Sequence, residues 1–244
     1  MSAPSGTAIV TGGGAGIGAA IVARLLDRGF AVISLAREKP ALSHPRLEAI
    51  EIDLIDITAT QRVAADIAAR HQVSHLIHSA GVTRHKLIDE ATAEDVQNLA
   101  QLHLGAALIL LQASLPGMKE RQFGRVVMIS SRAALGTIGR TAYSATKAGI
   151  IGMGRTWALE LAPFGITVNM VAPGPIAGTR MFHEIVPAGS EREAKLAAAI
   201  PVKRLGRPED IVNAVMFFAA PESGFVTGQT LFVCGGSSIG SLTI

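Results

Sequence analysis

Residues 7–18, TAIVTGGGAGIG, decide how this chain folds. Residues 7–10 predict an apolar strand, and residues 16–28 predict a helix with Ile21 and Leu25 on one face. Glycine is required where a chain turns sharply, where backbone approaches a pyrophosphate, and where helix and strand touch. The N-terminus of the helix offers free N–H groups to an anion. A flexible loop is the alternative reading of the glycines alone, but the flanking strand and helix favour a dinucleotide-binding turn.

The rest of the chain alternates β-rich runs with helical stretches. Strands are predicted at residues 31–35, 47–52, 74–78, 125–130, 166–171 and 230–233, and helices at 58–70, 93–115, 141–162 and 209–219. This alternation implies parallel pairing with right-handed crossovers. We therefore expect an α/β fold, a doubly wound parallel sheet of Rossmann type with helices on both faces. All residues 1–244 are assigned to one domain, with Thr58 capping its helix and residues 179–201 forming an inserted substrate lid.

Composition excludes several classes of protein. Apolar residues make up 49% of the chain and charged residues 17%, which is enough for a large core and argues against disorder. The net charge is +3 and the basic residues are scattered, so no nucleic-acid partner is expected. A single cysteine, Cys234, fits a reducing compartment. Residues 1–6 lack a signal peptide, and no transmembrane helix, membrane partner or metal site is expected, so a cytoplasmic protein is predicted.

The glycine spacing also carries a family resemblance. Thr11, Gly12, Gly16 and Gly18 form the pattern Thr-Gly-x-x-x-Gly-x-Gly, which resembles the short-chain dehydrogenase/reductase family from Thr11 to about Gly236. The stretch at residues 201–206 and the C-terminal strand resemble the branch of 3-oxoacyl-(acyl-carrier-protein) reductases. The resemblance implies hydride transfer between a nicotinamide and a carbonyl or secondary alcohol, in a homotetramer.

The end of the second strand bears on the choice of cofactor. A carboxylate there favours NAD by binding the ribose 2′-hydroxyl, whereas an arginine accommodates the 2′-phosphate of NADP. This sequence has Ala36 at the acid position, followed by Arg37 and Glu38. NADP(H) is therefore predicted, with NAD still possible. Arg37 as a solvated surface residue is the alternative, and Glu38 either pairs with Arg37 or reaches the ribose.

Further cofactor contacts follow from the resemblance. The turn would contribute Gly12, Gly14, Gly16, Ile17 and Gly18. Later segments would contribute Asp53 and Leu54 at the adenine, Ala80 and Gly81 beneath the cofactor, and Pro173, Gly174, Ile176 and Thr179 near the nicotinamide, besides Tyr143 and Lys147. A turn or capping role is the alternative for Asp53. His78 and Ser79 stand where the family usually has asparagines, which puts the local hydrogen bonding in question.

A pair of residues four apart on one helix predicts the catalytic group. Tyr143, the only tyrosine, and Lys147 share a helix face, so the phenol and the ammonium approach one site. A nearby ammonium and an oxidised nicotinamide would lower the phenol pKa from about 10 to about 7. The resemblance assigns Tyr143 as acid/base and Ser131 as the residue that holds the substrate oxygen, with Ser130 as the second candidate.

One position departs from the family pattern. His103 stands where the family usually carries an asparagine that links the lysine to solvent through water. A histidine donates and accepts hydrogen bonds, so a proton relay from His103 through water to Lys147 and Tyr143 is one hypothesis. A buried histidine that fills a helix bend is the other.

The substrate is less clearly specified. A small carbonyl compound or alcohol is expected, with an acyl thioester as one candidate, and Met181, Phe182, Ile185 and Val186 give the lid an apolar face. An NAD-dependent alcohol dehydrogenase working in the oxidative direction is the alternative enzyme. A cofactor-binding regulator without catalysis is the alternative class, which the Ser131, Tyr143 and Lys147 set disfavours.

Overall fold

Parallel strands form a seven-stranded sheet in the computed structural model, which describes residues 6–239. The strands are β1 Thr7–Thr11, β2 Ala31–Ala36, β3 Leu47–Glu51, β4 Val73–His78, β5 Gly124–Ile129, β6 Ile166–Pro173 and β7 Thr230–Val233. Their order is β3-β2-β1-β4-β5-β6-β7, so the winding direction reverses between β1 and β4. Such a reversal opens a crevice at the carboxyl ends of the strands, where ligands of this architecture bind. The predicted doubly wound α/β fold is confirmed. The prediction that residues 1–6 are not a signal peptide concerns a segment of which only Gly6 is among the described residues.

Helices cover both faces of the sheet. They are α1 Gly16–Asp27, α2 Ile57–Arg70, α3 Ala93–Ala100, α4 Ala106–Glu120, α5 Thr141–Leu161, α6 Arg180–His183, α7 Glu191–Ala199 and α8 Pro208–Ala219. Helices α1 and α8 pack together on one face, whereas α2, α4 and α5 cover the other. The central sheet is thereby shielded from water, as parallel sheets require.

Successive side chains of the central strands point to opposite faces of the sheet and pack into two separate hydrophobic cores. In β1, Ile9 packs under α2, α4 and α5, while Ala8 and Val10 pack under α1 and α8. All three are essentially inaccessible to solvent. Complete burial of a side chain the size of Ile9 or Val10 contributes about 1.5–3 kcal/mol, so the two cores together stabilise the central strands that carry the site.

Residues Gln101–Gly105 join α3 to α4 through a π turn. The Ala106 N–H bonds the carbonyl of Gln101, which diverts it from the carbonyl of Leu102, its usual α-helical partner. Nε2 of His78 lies 3.1 Å from the carbonyl oxygen of Leu102 and donates to it. The end of β4 therefore satisfies a polar group at the bend of the long helix.

The continuous helix Ala93–Glu120 is long and apolar enough to cross a membrane, and within residues 6–239 it is the one span that meets this test of length and composition. The sequence had predicted no such segment. Core helices of soluble proteins pass the same test, and here Leu110 and Met118 are fully buried against the sheet and α2.

Three boundary predictions are wrong by two residues or more. Helix α2 is capped by Asp56, whose Oδ1 accepts from the Ala59 N–H at 2.9 Å, and not by Thr58, which lies inside the helix. Helix α4 does not end at residue 115 but runs to Glu120, because Met118 packs into the core and overrides the weak helix propensity around Pro116. Strand β6 extends to Pro173, which pairs with Val233.

The segment predicted as a lid, residues 179–201, folds as α6 and α7 with turns between them. Val186 and Ile200 are its buried anchors. Met181, Phe182 and Ile185 line the cavity described below. Its function as a lid stays a prediction.

Candidate active site

The glycine turn after β1 leaves an open helix N-terminus. Gly12 and Gly16 have φ of 70° and 54°, a left-handed backbone that favours glycine. A Cβ on Gly12 would lie 2.9 Å from Cα of Ala80, so the turn also needs glycine for close packing. Ala15, the residue before α1, has no side chain that caps the first turn. The N–H groups in the first turn of α1 therefore remain available to an anion. One cavity of about 880 Å³ is lined by the turn residues Gly12, Gly14, Ala15, Gly16, Ile17 and Gly18.

Thr11 ties the end of β1 to the end of β4. Its Oγ1 accepts from the N–H groups of Ser79 and Ala80 at 3.0 and 2.9 Å. The Thr11 hydroxyl in turn donates to Nδ1 of His78 at 3.0 Å. Nε2 of the neutral ring carries the proton, since it donates to the Leu102 carbonyl, and this leaves Nδ1 as an acceptor. Burial lowers the pKa of His78 to about 3, so the ring is neutral. His78 thus supplies the hydrogen bonds that the missing asparagines put in question.

The charged groups after β2 are arranged around the same cavity. Arg37 and Glu38 both line it, as predicted for a group near the adenosine ribose. Glu38 does not pair with Arg37. Instead Oε1 of Glu38 lies 3.0 Å from Nη1 of Arg180, the first residue of α6. Among the described residues, Arg37 therefore has no carboxylate within salt-bridge distance.

Asp53 and Leu54 follow β3 and line the cavity as predicted. The carboxylate of Asp53 also accepts from the Ile55 N–H at 3.0 Å. The two readings of Asp53, a turn residue and a ligand contact, are therefore compatible.

The end of β6 and the loop after it also line the cavity, through Pro173, Gly174, Ile176 and Thr179. Gly206 bridges this segment by bonding the carbonyl of Pro175 and the N–H of Ala177. Within the described residues this leaves the N–H of Ile176 without a protein acceptor, available to a ligand amide. The Thr179 hydroxyl donates to the Ile176 carbonyl at 3.1 Å and caps α6, so it shapes the loop as well as facing the cavity.

Ser131, Tyr143 and Lys147 converge on this cavity. Strand β5 ends before Ser131, and α5 presents the other two side chains on one face, one turn apart. Nζ of Lys147 lies 5.5 Å from the centre of the Tyr143 ring and donates to the carbonyl of Ile129 at 2.8 Å. Ser130 donates its hydroxyl to the Lys147 carbonyl at 2.7 Å, so its proton is already used, whereas the hydroxyl of Ser131 hydrogen-bonds with Tyr143.

The ionisation of this pair differs from the expectation. Burial raises the pKa of Tyr143 above its ordinary value, and hydrogen bonding with Ser131 and the charge of Arg140 offset only part of that increase. Burial lowers the pKa of Lys147 to about 7. The predicted lowering of the phenol pKa includes an oxidised nicotinamide and stays a prediction for that complex. In the protein by itself, the dry environment that brings the two groups together penalises both charged forms.

His103 lies in the π turn and is completely buried. Its Nδ1 is 2.8 Å from Oγ1 of Thr146, which already donates its proton to the carbonyls of Ala142 and Tyr143. Nδ1 therefore carries the ring proton. Burial lowers the pKa of His103, so Nε2 is an unprotonated acceptor, and it has no partner within the described residues.

Gly81 separates this acceptor from Lys147. A Cβ added to Gly81 would lie 3.1 Å from Nε2 of His103 and 3.3 Å from Nζ of Lys147. The two nitrogen atoms therefore face the same small space across the glycine. That space is polar on both sides, which suits a bridging water.

Sequence reasoning missed one charged residue beside Tyr143. The guanidinium carbon of Arg140 lies 5.7 Å from the centre of the Tyr143 ring, and Arg140 lines the cavity. Its position three residues before the tyrosine, on the same side of the helix start, was the available signal.

The chain resembles known proteins over nearly its whole length. Residues 12–238 match a family model described as enoyl-(acyl carrier protein) reductase. A subunit of a (hydroxy(phenyl)methyl)succinyl-CoA dehydrogenase from Thauera aromatica is 36% identical over 98% of this chain and 99% of its own. A 3-oxoacyl-(acyl-carrier-protein) reductase from Rickettsia bellii is 35% identical, covering 94% of this chain and 95% of its own.

Solved structures give the same result. A structure described as a putative NAD(P)-dependent gluconate 5-dehydrogenase from Beutenbergia cavernae, with bound NADP, is 31% identical to this chain. It superposes with a TM-score of 0.86 over 94% of this chain and 95% of its own. The likeness therefore extends over nearly the whole chain.

Proposed function

The chain belongs to the short-chain dehydrogenase/reductase family of oxidoreductases, and on that basis we propose that it interconverts a carbonyl compound and a secondary alcohol with NADP(H). One observation carries the proposal. Ser131, Tyr143 and Lys147 open into the same cavity as the glycine turn of α1. A cofactor seated on the turn and a substrate seated at the tyrosine would therefore meet in one continuous space.

Each residue receives a role from its surroundings. The nicotinamide supplies or accepts the hydride when bound. Tyr143 gives its phenolic proton to the carbonyl oxygen in reduction and takes it back from the alcohol in oxidation. Ser131 holds the substrate oxygen. Lys147 is fixed by the Ile129 carbonyl, lies beside the phenol, and stabilises phenolate whenever it is protonated.

Charge supports NADP(H) over NAD. The turn residues and Arg37 would hold the phosphates, while Asp53 and Leu54 would meet the adenine. Glu38, the one acid directly after Arg37, is neutralised by Arg180 and offers little repulsion to a 2′-phosphate. NAD binding remains the alternative.

Relatives that act on thioesters suggest the first substrates to test. The two quoted above are described as acting on an acyl-CoA and on 3-oxoacyl chains of a carrier protein. The apolar side chains of Met181, Phe182 and Ile185 would suit an acyl chain. We propose a 3-oxoacyl thioester, with reduction of the ketone and not of a C=C bond as the reaction.

The space across Gly81 supports the relay hypothesis for His103. With Nδ1 protonated, Nε2 would accept a hydrogen bond from a water, and the oxygen of that water would accept one from the Lys147 ammonium. Replacing His103 by Leu should lower turnover and shift its pH profile, whereas an Asn variant should retain more of both. An unchanged pH profile in the Leu variant would show that His103 only fills the bend.

Exposed apolar side chains support the predicted homotetramer. Leu159 of α5 is 80% exposed, and Phe217 of α8 and Phe225 are 52% and fully exposed. Where such side chains form a contiguous patch, they mark a protein–protein interface. Light scattering on the purified protein tests the tetramer, and fractionation of cells tests the predicted cytoplasmic location.

A titration with NADPH and NADH, followed by nicotinamide fluorescence, tests the cofactor proposal first. Tighter binding of NADPH than of NADH is expected, and Arg37→Gln should remove most of the difference. Tighter NADH binding would favour the oxidative alcohol dehydrogenase instead.

Turnover with acetoacetyl-CoA and with crotonyl-CoA then tests the reaction class. Oxidation of NADPH by the first and not by the second is expected. Tyr143→Phe should abolish turnover and keep NADPH binding, because it removes only the phenolic proton. Turnover in the Tyr143→Phe variant would refute the role of the tyrosine. A wild-type protein that binds NADPH but reduces no carbonyl compound would favour the non-catalytic regulator.

A further inference from the structure

Two arginines stand beside the proposed catalytic residues. Arg132 directly follows Ser131, and Arg140 is the residue before α5, three residues before Tyr143. Both are partly buried and both line the cavity. They lie at the end where the substrate would bind, not at the glycine turn.

The part of the chain that the structure describes offers these arginines no counter-ion. Among residues 6–239, no carboxylate lies within 4.0 Å of either guanidinium. Neighbouring cations behave differently, since Arg84 and Lys86 both bind the buried carboxylate of Asp95 at 2.9 and 2.7 Å. A half-buried cation without a counter-ion carries a desolvation cost that a bound anion would relieve.

Arg140 is also held in place before any ligand arrives. Its Nη1 donates to Oγ1 of Thr83, and its guanidinium lies over the Tyr143 ring. Its backbone pairs with Lys86, which fixes the start of α5 against the segment that follows β4. A guanidinium has five N–H donors, and one is used here, so the remaining edge is free for a planar acceptor. Carboxylates match that fork with two parallel hydrogen bonds.

From this arrangement we infer that the substrate carries a carboxylate a few bonds from the reacting carbon, and that Arg140, assisted by Arg132, binds it. This inference rests on the proposed function and narrows its substrate class to oxo acids, hydroxy acids and thioesters with a second, free carboxyl group. Pairing of the substrate carboxylate with Arg140 would also favour ionisation of Tyr143. A carboxylate beside Tyr143 would otherwise disfavour the phenolate through like-charge repulsion, and Arg140 cancels that repulsion.

Binding to a complex that cannot react tests the inference. The protein is saturated with NADP⁺, and acetoacetate and methyl acetoacetate are titrated separately by calorimetry. We expect the acid to bind at least about tenfold more tightly than its ester, the size of effect typical of a charged hydrogen bond. In Arg140→Gln the ratio should fall towards one, and in Arg140→Lys it should be intermediate because the charge remains but the fork is lost.

Arg155→Gln is the matched control, since it removes one exposed positive charge from the same helix outside the cavity. Its ratio should equal that of the wild type. If Arg140→Gln does not fold, as judged by circular dichroism, Arg132→Gln and Arg140→Lys carry the test.

The outcomes separate this inference from the proposed function. Failure to bind NADP⁺ would refute the proposed function, and the same titrations on the cofactor-free protein would then still test the arginines. Binding of NADP⁺ with equal or undetectable binding of acid and ester would refute the carboxylate site alone. A preserved ratio in Arg140→Gln would also overturn it.

Discussion

Lys147→Met should make the protein more stable and, on the proposed mechanism, inactive. The ammonium of Lys147 is buried, and burial lowers the pKa of this lysine from 10.5 to about 7. At neutral pH the unfolded chain therefore binds more protons at this position than the folded chain. By linkage, the free energy of unfolding of the wild type rises with pH between about 7 and 10.5 because of this group.

The two pKa values set the magnitude. One pKa unit corresponds to about 1.4 kcal/mol, so the lysine destabilises the folded state by about 4 kcal/mol at pH 7 and about 2 kcal/mol at pH 9, relative to a neutral side chain. The variant also leaves the Ile129 carbonyl without its donor, which costs about 1–3 kcal/mol at every pH. The net effect on stability is therefore close to zero at pH 9 and a gain of about 1–3 kcal/mol at pH 7. The change of about 2 kcal/mol between the two pH values is independent of the lost bond.

Urea unfolding at pH 7, 8 and 9, followed by the fluorescence of Trp157, the only tryptophan, measures this difference. Lys39→Met is the control, because Lys39 is exposed and should give no pH-dependent difference. A constant stability difference between the wild type and Lys147→Met from pH 7 to pH 9 would show that the folded protein does not disfavour the ammonium.

Three further changes have defined outcomes. Arg125→Met should lower the free energy of unfolding by about 2–4 kcal/mol, because the buried guanidinium donates to four backbone carbonyls. Arg62 is exposed, so Arg62→Met should change the free energy of unfolding by less than about 0.5 kcal/mol, and urea titration of both variants measures the two effects. Gly81→Ala should reduce kcat far more than stability, because its Cβ would push on His103 and the neighbouring lysine; equal kcat would contradict the bridging space. Burial lowers the pKa of His75 to about 4, so this ring binds a proton more readily in the unfolded chain than in the folded one. The stability of the wild type should therefore fall between pH 6.5 and pH 4, and the stability of His75→Leu should fall by less over the same range, which acid titration followed by circular dichroism measures.

Local sequence signals were sufficient for most of the fold. The glycine turn and the alternation of apolar strands with amphipathic helices predict the sheet, its parallel pairing and its helical layers, because each of these follows from residues near one another in the chain. The cap of α2 was harder to predict. Asp56 and Thr58 are both good capping residues, and which one is used depends on where the chain leaves β3.

The charged residues of the site depended on contacts between distant segments. Glu38 and Arg180 are 142 residues apart, so their pairing could not be read from either segment. The unpaired state of Arg140 likewise depends on what lies around it in three dimensions. The identities of Ser131, Tyr143 and Lys147 were predicted and their convergence on one cavity is observed, whereas the raised pKa of Tyr143 reflects burial that only the assembled fold produces.

Tyr143 is the only tyrosine of the chain. Its phenol is consequently the single source of tyrosinate absorbance in the protein, and a difference spectrum recorded across a pH series would follow this one group without labels or substitutions. The same optical titration can be repeated after each ligand is added. Wild-type protein thus contains a built-in chromophore that reports, at one atom, how every bound molecule alters the electrostatics of the pocket.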